Sequence, residues 1–238
     1  MPDRSRSRMR LNLEPLEHRE LLSSALIEGF RTVTRSGLPG GWTAWSNESG
    51  RSFQVEASAP GYEEPGSLTS VGRSSTAART WVNSTFAADV EAKVSVQLNS
   101  LVPVELIVRG ENLETSSPTY YAVTIQRGLI LELSRVVDGN RVSLGTLRSA
   151  DYVSGPWVTV TLRAEGTGLA VLVQRADSGL FLQDDGRWTR DRTATLKVTD
   201  TAIRAGNQVG IGRLPRAADR LRLDGFQVQA PLPTAAAP

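Results

Sequence analysis

From Ile27 onward, apolar and polar positions alternate in short runs, and clusters of Gly, Asp, Asn and Ser separate the runs. A repeat of two puts successive side chains on opposite faces of an extended strand. The clearest stretch runs through Thr119–Gln126, Leu129–Val137 and Arg141–Leu147, broken by Arg127-Gly128 and Asp138-Gly139-Asn140. Asp-Gly between β-branched runs marks a hairpin, because tight turns need residues that accept positive φ. The pattern predicts a three-strand meander. A second hairpin is predicted from Trp157–Ala164 and Leu169–Gln174, with Val158, Val160 and Leu162 on one face and Trp157, Thr159, Thr161 and Arg163 on the other. Further strands are expected at 52–57, 66–71, 86–98, 103–109, 208–213 and 221–229. No 12-residue window after residue 26 keeps a helical period. Short strands with one apolar face each imply an all-β domain of two antiparallel sheets packed as a sandwich.

The ends read differently. Residues 1–25 begin with Arg4, Arg6, Arg8 and Arg10 and continue into a charged stretch with a rough helical stripe, not the uncharged core of a signal peptide. Residues 231–238 form a Pro/Ala-rich tail of disordered character. The expected organisation is a terminal segment, 1–25, one sandwich domain, 26–230, and the tail. No run approaches the roughly 18 apolar residues of a membrane-spanning helix.

Composition narrows the chemistry. The net charge is +2, and residues 1–25 account for half of it. That leaves no strong basic field of the kind nucleic acid attracts. There is no cysteine, so disulfides and thiolate metal sites are excluded, and His18 is the only histidine. The sandwich region therefore lacks a Ser-His triad and imidazole ligands for zinc or iron.

Leu13-Glu14-Pro15-Leu16-Glu17-His18-Arg19-Glu20-Leu21-Leu22-Ser23 resembles the Leu-Glu-x-Leu-Glu-x-Arg-x-Leu-Leu-Ser motif that opens many exported proteins of planctomycete-type bacteria. The resemblance implies a targeting or anchoring segment and an extracellular or cell-surface location. Over about 27–229, the order of features is similar to the concanavalin A-like lectin/glucanase superfamily, in its laminin-G-like branch. These features are Phe30 with Gly41-Trp42, Leu106–Arg109, Tyr120-Tyr121, Trp157–Leu162, Gly206–Ile211 and Asp224–Val228. It implies a jelly-roll sandwich and a glycan-directed role. The superfamily's alginate-lyase branch depends on a catalytic histidine, which this region lacks, and the Glu-x-Asp-x-x-Glu of its glucanase branch does not occur.

Strand parity puts Glu105 and Arg109 on one face, with Tyr120 and Glu132 expected beside them if the strands are neighbours. An aromatic platform with an acid and an Arg suits a sugar, whose CH face stacks while its hydroxyls bond to charged groups. Trp188, in a charged turn, is the candidate exposed aromatic. Glu28 before Gly29-Phe30 and Asp224 before Gly225-Phe226 occupy matching positions at the two ends of the domain. By the resemblance they are candidates for a structural Ca²⁺, which prefers oxygen ligands. The expected role is a non-catalytic module that binds polysaccharide or a surface glycan, without nucleic acid as partner. A glycan-active enzyme and a purely structural surface domain stay open as alternatives.

Overall fold

The computed structural model describes residues 26–34, 37–49 and 52–230. The N-terminal motif and the Pro/Ala-rich tail lie outside the described residues. The first strands are β1 Leu26–Glu28, β2 Trp42–Ser46, β3 Phe53–Glu56, β4 Ser67–Val71, β5 Ala78–Val82 and β6 Val90–Gln97. The middle strands are β7 Val104–Glu111, β8 Thr119–Gln126, β9 Ile130–Val137, β10 Asn140–Arg148, β11 Trp157–Glu165 and β12 Gly168–Arg175. The last are β13 Phe181–Leu182, β14 Trp188–Thr189, β15 Leu196–Thr199, β16 Gln208–Arg213 and β17 Arg220–Gln229.

They form two antiparallel sheets that pack into a sandwich. The seven-stranded sheet has the order β10-β9-β8-β7-β16-β5-β2. The ten-stranded sheet runs β14-β13-β12-β11-β6-β17-β4-β3, with β1 added on β17 and β15 on β12. Inward-facing Val158, Val160 and Leu162 of β11 and Val94 and Val96 of β6 meet Leu106, Tyr121, Val123 and Leu133 from the other sheet, all essentially unexposed. Each such side chain contributes roughly 1.5–3 kcal/mol of burial, so these strand faces hold the fold.

The predicted meander is present as β8-β9-β10, and Asp138 (φ 49°) and Gly139 (φ 79°) make its two-residue primed turn. The strand expected over 86–98 begins only at Val90, because Phe86 N–H bonds to Asn207 O in a loop. β5 was not legible in the pattern. All five of its positions are buried, including Arg79 and Thr80, so nothing alternates.

The two ends of the domain meet. β1 pairs with β17, Leu26 opposite Val228 and Glu28 opposite Phe226. Next to this pair, Trp42 stands edge-on between Phe30 and Phe226, with ring centroids 5.4 and 5.0 Å away. Edge-to-face pairs are favourable beyond their buried area, and these join β2 and the β1–β2 connection to β17.

Candidate functional site

On the outer face of the seven-stranded sheet, the registers align side chains in rows. Glu105 on β7 is opposite Thr124 on β8, Thr124 opposite Glu132 on β9, and Glu132 opposite Thr146 on β10. A second row joins Tyr120, Val136 and Arg141. On the other side of Glu105 lies Gly212 of β16, where an added Cβ would sit 2.6 Å from Glu105 Oε2. Glycine there lets the Glu105 side chain lean back across its neighbour strand.

Sequence parity thus placed Glu105, Tyr120 and Glu132 on one face, but two of them are not open to solvent. Glu105 is 1% exposed and Tyr120 3%. The Tyr120 hydroxyl donates to Glu105 Oε2 at 3.2 Å, and Arg141 forms an ion pair with Glu105 and donates to Tyr120 Oη at 3.3 Å. Burial, with the Glu105 charge beside it, drives the Tyr120 pKa well above its ordinary value. For Arg141, burial alone would lower the pKa, but Glu105 and Tyr120 outweigh it and raise it.

The cover is the β7–β8 connection. Leu113 folds onto the face and packs, fully buried, with Trp81, Ile107, Tyr120, Ala122 and Val136. Its N–H donates to Gln208 Oε1 at 3.2 Å, while its carbonyl accepts from Arg79 Nε at 2.9 Å. Arg79 also donates to Thr115 O and lies 4.1 Å above the Trp45 ring. The expectation of an exposed Tyr120 platform is therefore corrected: a loop that no strand pattern could locate seals it.

Arg109 is a second correction. It has φ 50°, and the β7–β8 register shifts between Val108 and Glu111, so a bulge turns its side chain away from Glu105. The guanidinium instead donates to Ala88 O (2.7 Å), Ile203 O (3.0 Å) and Gly166 O (2.8 Å), and pairs with Asp89 at 3.1 Å. It ties three connections together. Arg141 supplies the cation beside Glu105, and parity carried across the Asp138-Gly139 turn would have found it.

Trp188 is not a free aromatic either. It is half-buried against the core, its Nε1 donates to Ser149 Oγ at 3.1 Å, and Arg175 lies 5.5 Å over its ring. Glu28 and Asp224 do line one cavity, of about 310 Å³. Three of their four oxygens accept backbone amides: Glu28 Oε1 from Phe30 N–H (2.8 Å), Asp224 Oδ2 from Tyr62 N–H (2.7 Å) and Oδ1 from Gly225 N–H (2.7 Å). Burial raises the Asp224 pKa, and these amide bonds offset it only in part. Among the described residues, no group of three or more His, Cys, Asp or Glu is arranged to hold a metal ion. Two carboxylates alone do not make up the six to eight oxygens of a Ca²⁺ shell, which backbone carbonyls and waters also supply.

What the outer face leaves within reach is Glu132, half-buried and accepting from Ser134 Oγ at 3.1 Å, with exposed Thr146 and Arg148 beside it. Two polar atoms bordering Glu132 and Glu105, Thr124 Oγ1 and Arg141 Nη1, are buried without a hydrogen-bond partner among the described protein atoms. An unpaired buried polar group costs roughly 1–3 kcal/mol, so a bound water would be held well there.

No family model and no curated protein matches the chain. Solved structures share its fold. The carbohydrate binding module CBM66 from Bacillus subtilis superposes with a TM-score of 0.55 at 8% identity, covering 79% of this chain and 95% of that one. The exoplasmic/lumenal domain of VIP36, in a Ca²⁺- and mannose-bound form, gives a TM-score of 0.57 at 12% identity over 90% and 92% of the chains. A Bacillus subtilis protein of galectin-like fold gives 0.55 at 11% identity, over 88% and 97%. The chain has the architecture of lectin-like β-sandwich domains.

Proposed function

We propose that the domain is an exported, non-catalytic glycan-binding module, with its binding surface on the seven-stranded sheet around Glu132, Thr124, Thr146 and Arg141. The observation that carries this reading is the accessible end of the outer-face row, half-buried Glu132 opposite exposed Thr146, with exposed Arg148 and half-buried Arg141 around them. Acceptors and donors alternate there on a rigid sheet, which suits hydroxyl groups that both donate and accept. The shared fold of a carbohydrate binding module and of a mannose-bound lectin domain supports the ligand class. Export is in keeping with the lumenal or exoplasmic placement of the VIP36 domain and with the resemblance of residues 13–23 to an export motif. The organisation into segment 1–25, domain 26–230 and tail belongs to this proposal.

Binding is favoured over hydrolysis by the state of Glu105. Its carboxylate is almost fully buried and paired with Arg141, so it has no access to a glycosidic bond. Calcium plays no part in the surface proposed. A glycan array probed with the full chain, followed by titration of the best ligand into Glu132→Gln, tests the reading. Binding should fall about tenfold, as expected when a charged hydrogen-bond acceptor is neutralised, with the melting temperature unchanged. Undiminished binding by Glu132→Gln would remove the site from this face.

A further inference from the structure

The outer face of the ten-stranded sheet carries a different feature. Two cavities of about 310 and 400 Å³ share Tyr62, Glu63 and Lys93, and so join into one trough across the strands. Its floor follows the registers. Asp224 is opposite Ser95, Ser95 opposite Thr159, Thr159 opposite Gln174, and Gln174 opposite Phe181, a row over β17, β6, β11, β12 and β13. A parallel row joins Gln227, Lys93, Thr161 and Leu172. At strand spacings of about 4.8 Å, the first row is roughly 19 Å long. Hydroxyls and an amide form most of it, and Ser95 Oγ and Thr159 Oγ1 are 3.1 Å apart.

Tyr62 makes the wall. Its ring lies 6.0 Å from that of Trp157, and its backbone is pinned by the bond to Asp224. The tight path before it requires Gly61, where a Cβ would lie 2.0 Å from Glu64 O and 2.4 Å from Gly66 O. Asp224 therefore acts here by holding an aromatic rim in place.

The charges divide along the trough. Lys93 lines both cavities and Arg192 lines the far one, and neither has an ion pair or hydrogen bond among the described residues. Lys93 is half-buried, and its ammonium has no partner among the described residues. Glu63 also lines both cavities, and at the near end stand Glu28 and Asp224, with Arg31 held in an ion pair with Glu64. A uniformly anionic chain such as a polyphosphate would meet these acids. A ligand with one anionic group at the far end and neutral hydroxyls at the other would not.

We infer that this trough is a second ligand site, independent of the first, for a uronate-bearing saccharide. Its carboxylate lies between Lys93 and Arg192, its ring stacks on Tyr62, and its hydroxyls bond to the half-buried Thr159, Thr161 and Gln174. Nothing in this assignment depends on the seven-stranded face.

Titrating sodium glucuronate, and separately glucose, into the ¹⁵N-labelled full chain tests it. Glucuronate should shift the backbone amides around Lys93, Ser95, Thr159 and Thr161, and glucose should bind about tenfold more weakly, the size of effect a lost charge-assisted bond gives. Lys93→Gln should weaken glucuronate about tenfold, and Arg192→Gln, at an exposed loop position, should weaken it without touching the strands. Glu132→Gln should leave these shifts intact even if it abolishes binding on the opposite sheet. The inference is overturned if the amides of β6 and β11 do not respond, if glucose matches glucuronate, or if the response survives replacement of both cations.

Discussion

The two outer faces of this sandwich are built on the same alternation of side chains, yet they end in opposite states. Over part of the seven-stranded face a small separate core has formed: Leu113 closes over Trp81, Ile107 and Tyr120, and Glu105 is buried in its ion pair with the half-exposed Arg141. The ten-stranded face keeps Thr159, Thr161, its Tyr62 wall and an unpaired lysine partly exposed in a trough. The difference comes from the connections. A loop that carries one leucine and arginine-binding carbonyls turns part of a polar face into interior, whereas a loop held by Asp224 and the Arg31–Glu64 ion pair makes a wall and leaves the floor free.

The comparison can be broken most severely at Arg109, whose side chain belongs to neither face. Arg109→Met strands the carbonyls of Ala88, Ile203 and Gly166 and should cost about 3–5 kcal/mol by denaturant unfolding. A loss below about 1 kcal/mol would mean that the guanidinium is on an outer face after all. Next, Leu113→Ala should cost about 2–4 kcal/mol as a core cavity, while Leu172→Ala, half-buried in the trough, should cost under about 1 kcal/mol as a surface change. Equal losses would erase the distinction between closed and open faces.

A smaller effect sharpens it through pH. Burial works against the Asp200 charge, but bonds from Tyr121 (2.5 Å), Ala202 N–H (2.9 Å) and Arg135 (2.7 Å) outweigh it and hold the pKa below 3.8. Its folded pKa lies below its unfolded one, so its stabilisation is present above the unfolded value and fades as pH falls through the folded value. The same contact, with burial, pushes the Tyr121 hydroxyl up to about 12. Asp224 has the opposite sign: burial raises its pKa, so the charge-linked part of its contribution is full below the unfolded value and fades as pH rises through the folded one. Melting curves between about pH 2.5 and 6 should show the deficit of Asp200→Ala shrinking toward acid and that of Asp224→Ala growing. Parallel curves would contradict both assignments.

Much of this architecture is legible in the chain because strand parity is local. Tyr121 with Val123 and Ile125 is read directly as core, and Tyr120 with Thr124 as the other face. The Asp138-Gly139 turn carries parity on to β10. Parity says nothing about what later covers a face, so the burial of Tyr120 under Leu113 could not be read. A bulge resets parity, as at Arg109, and a strand buried on both faces shows none, as in β5. The matching positions of Glu28 and Asp224 do reach one cavity, but for a reason the pattern did not contain: backbone amides of the 61–63 and 225 turns occupy Asp224. Lys93 and Ser95 share the outward parity of Thr159 and Thr161, a signal that becomes useful only once β6 and β11 are known to be neighbours.

The pairing of β1 with β17 also determines how the domain responds to load. The strands are antiparallel, and Leu26 sits opposite Val228, so tension entering at one and leaving at the other pulls both from the same end. The hydrogen bonds between them then break in succession instead of sharing the force. β1 has only three residues, so peeling it is a short event, and it stops at the Phe30–Trp42–Phe226 clasp. A protein tethered at both ends would thus lengthen by a few residues at low force and then meet sharp resistance. Single-molecule extension would show this as a small early step ahead of the main rupture, and Trp42→Ala should merge the two.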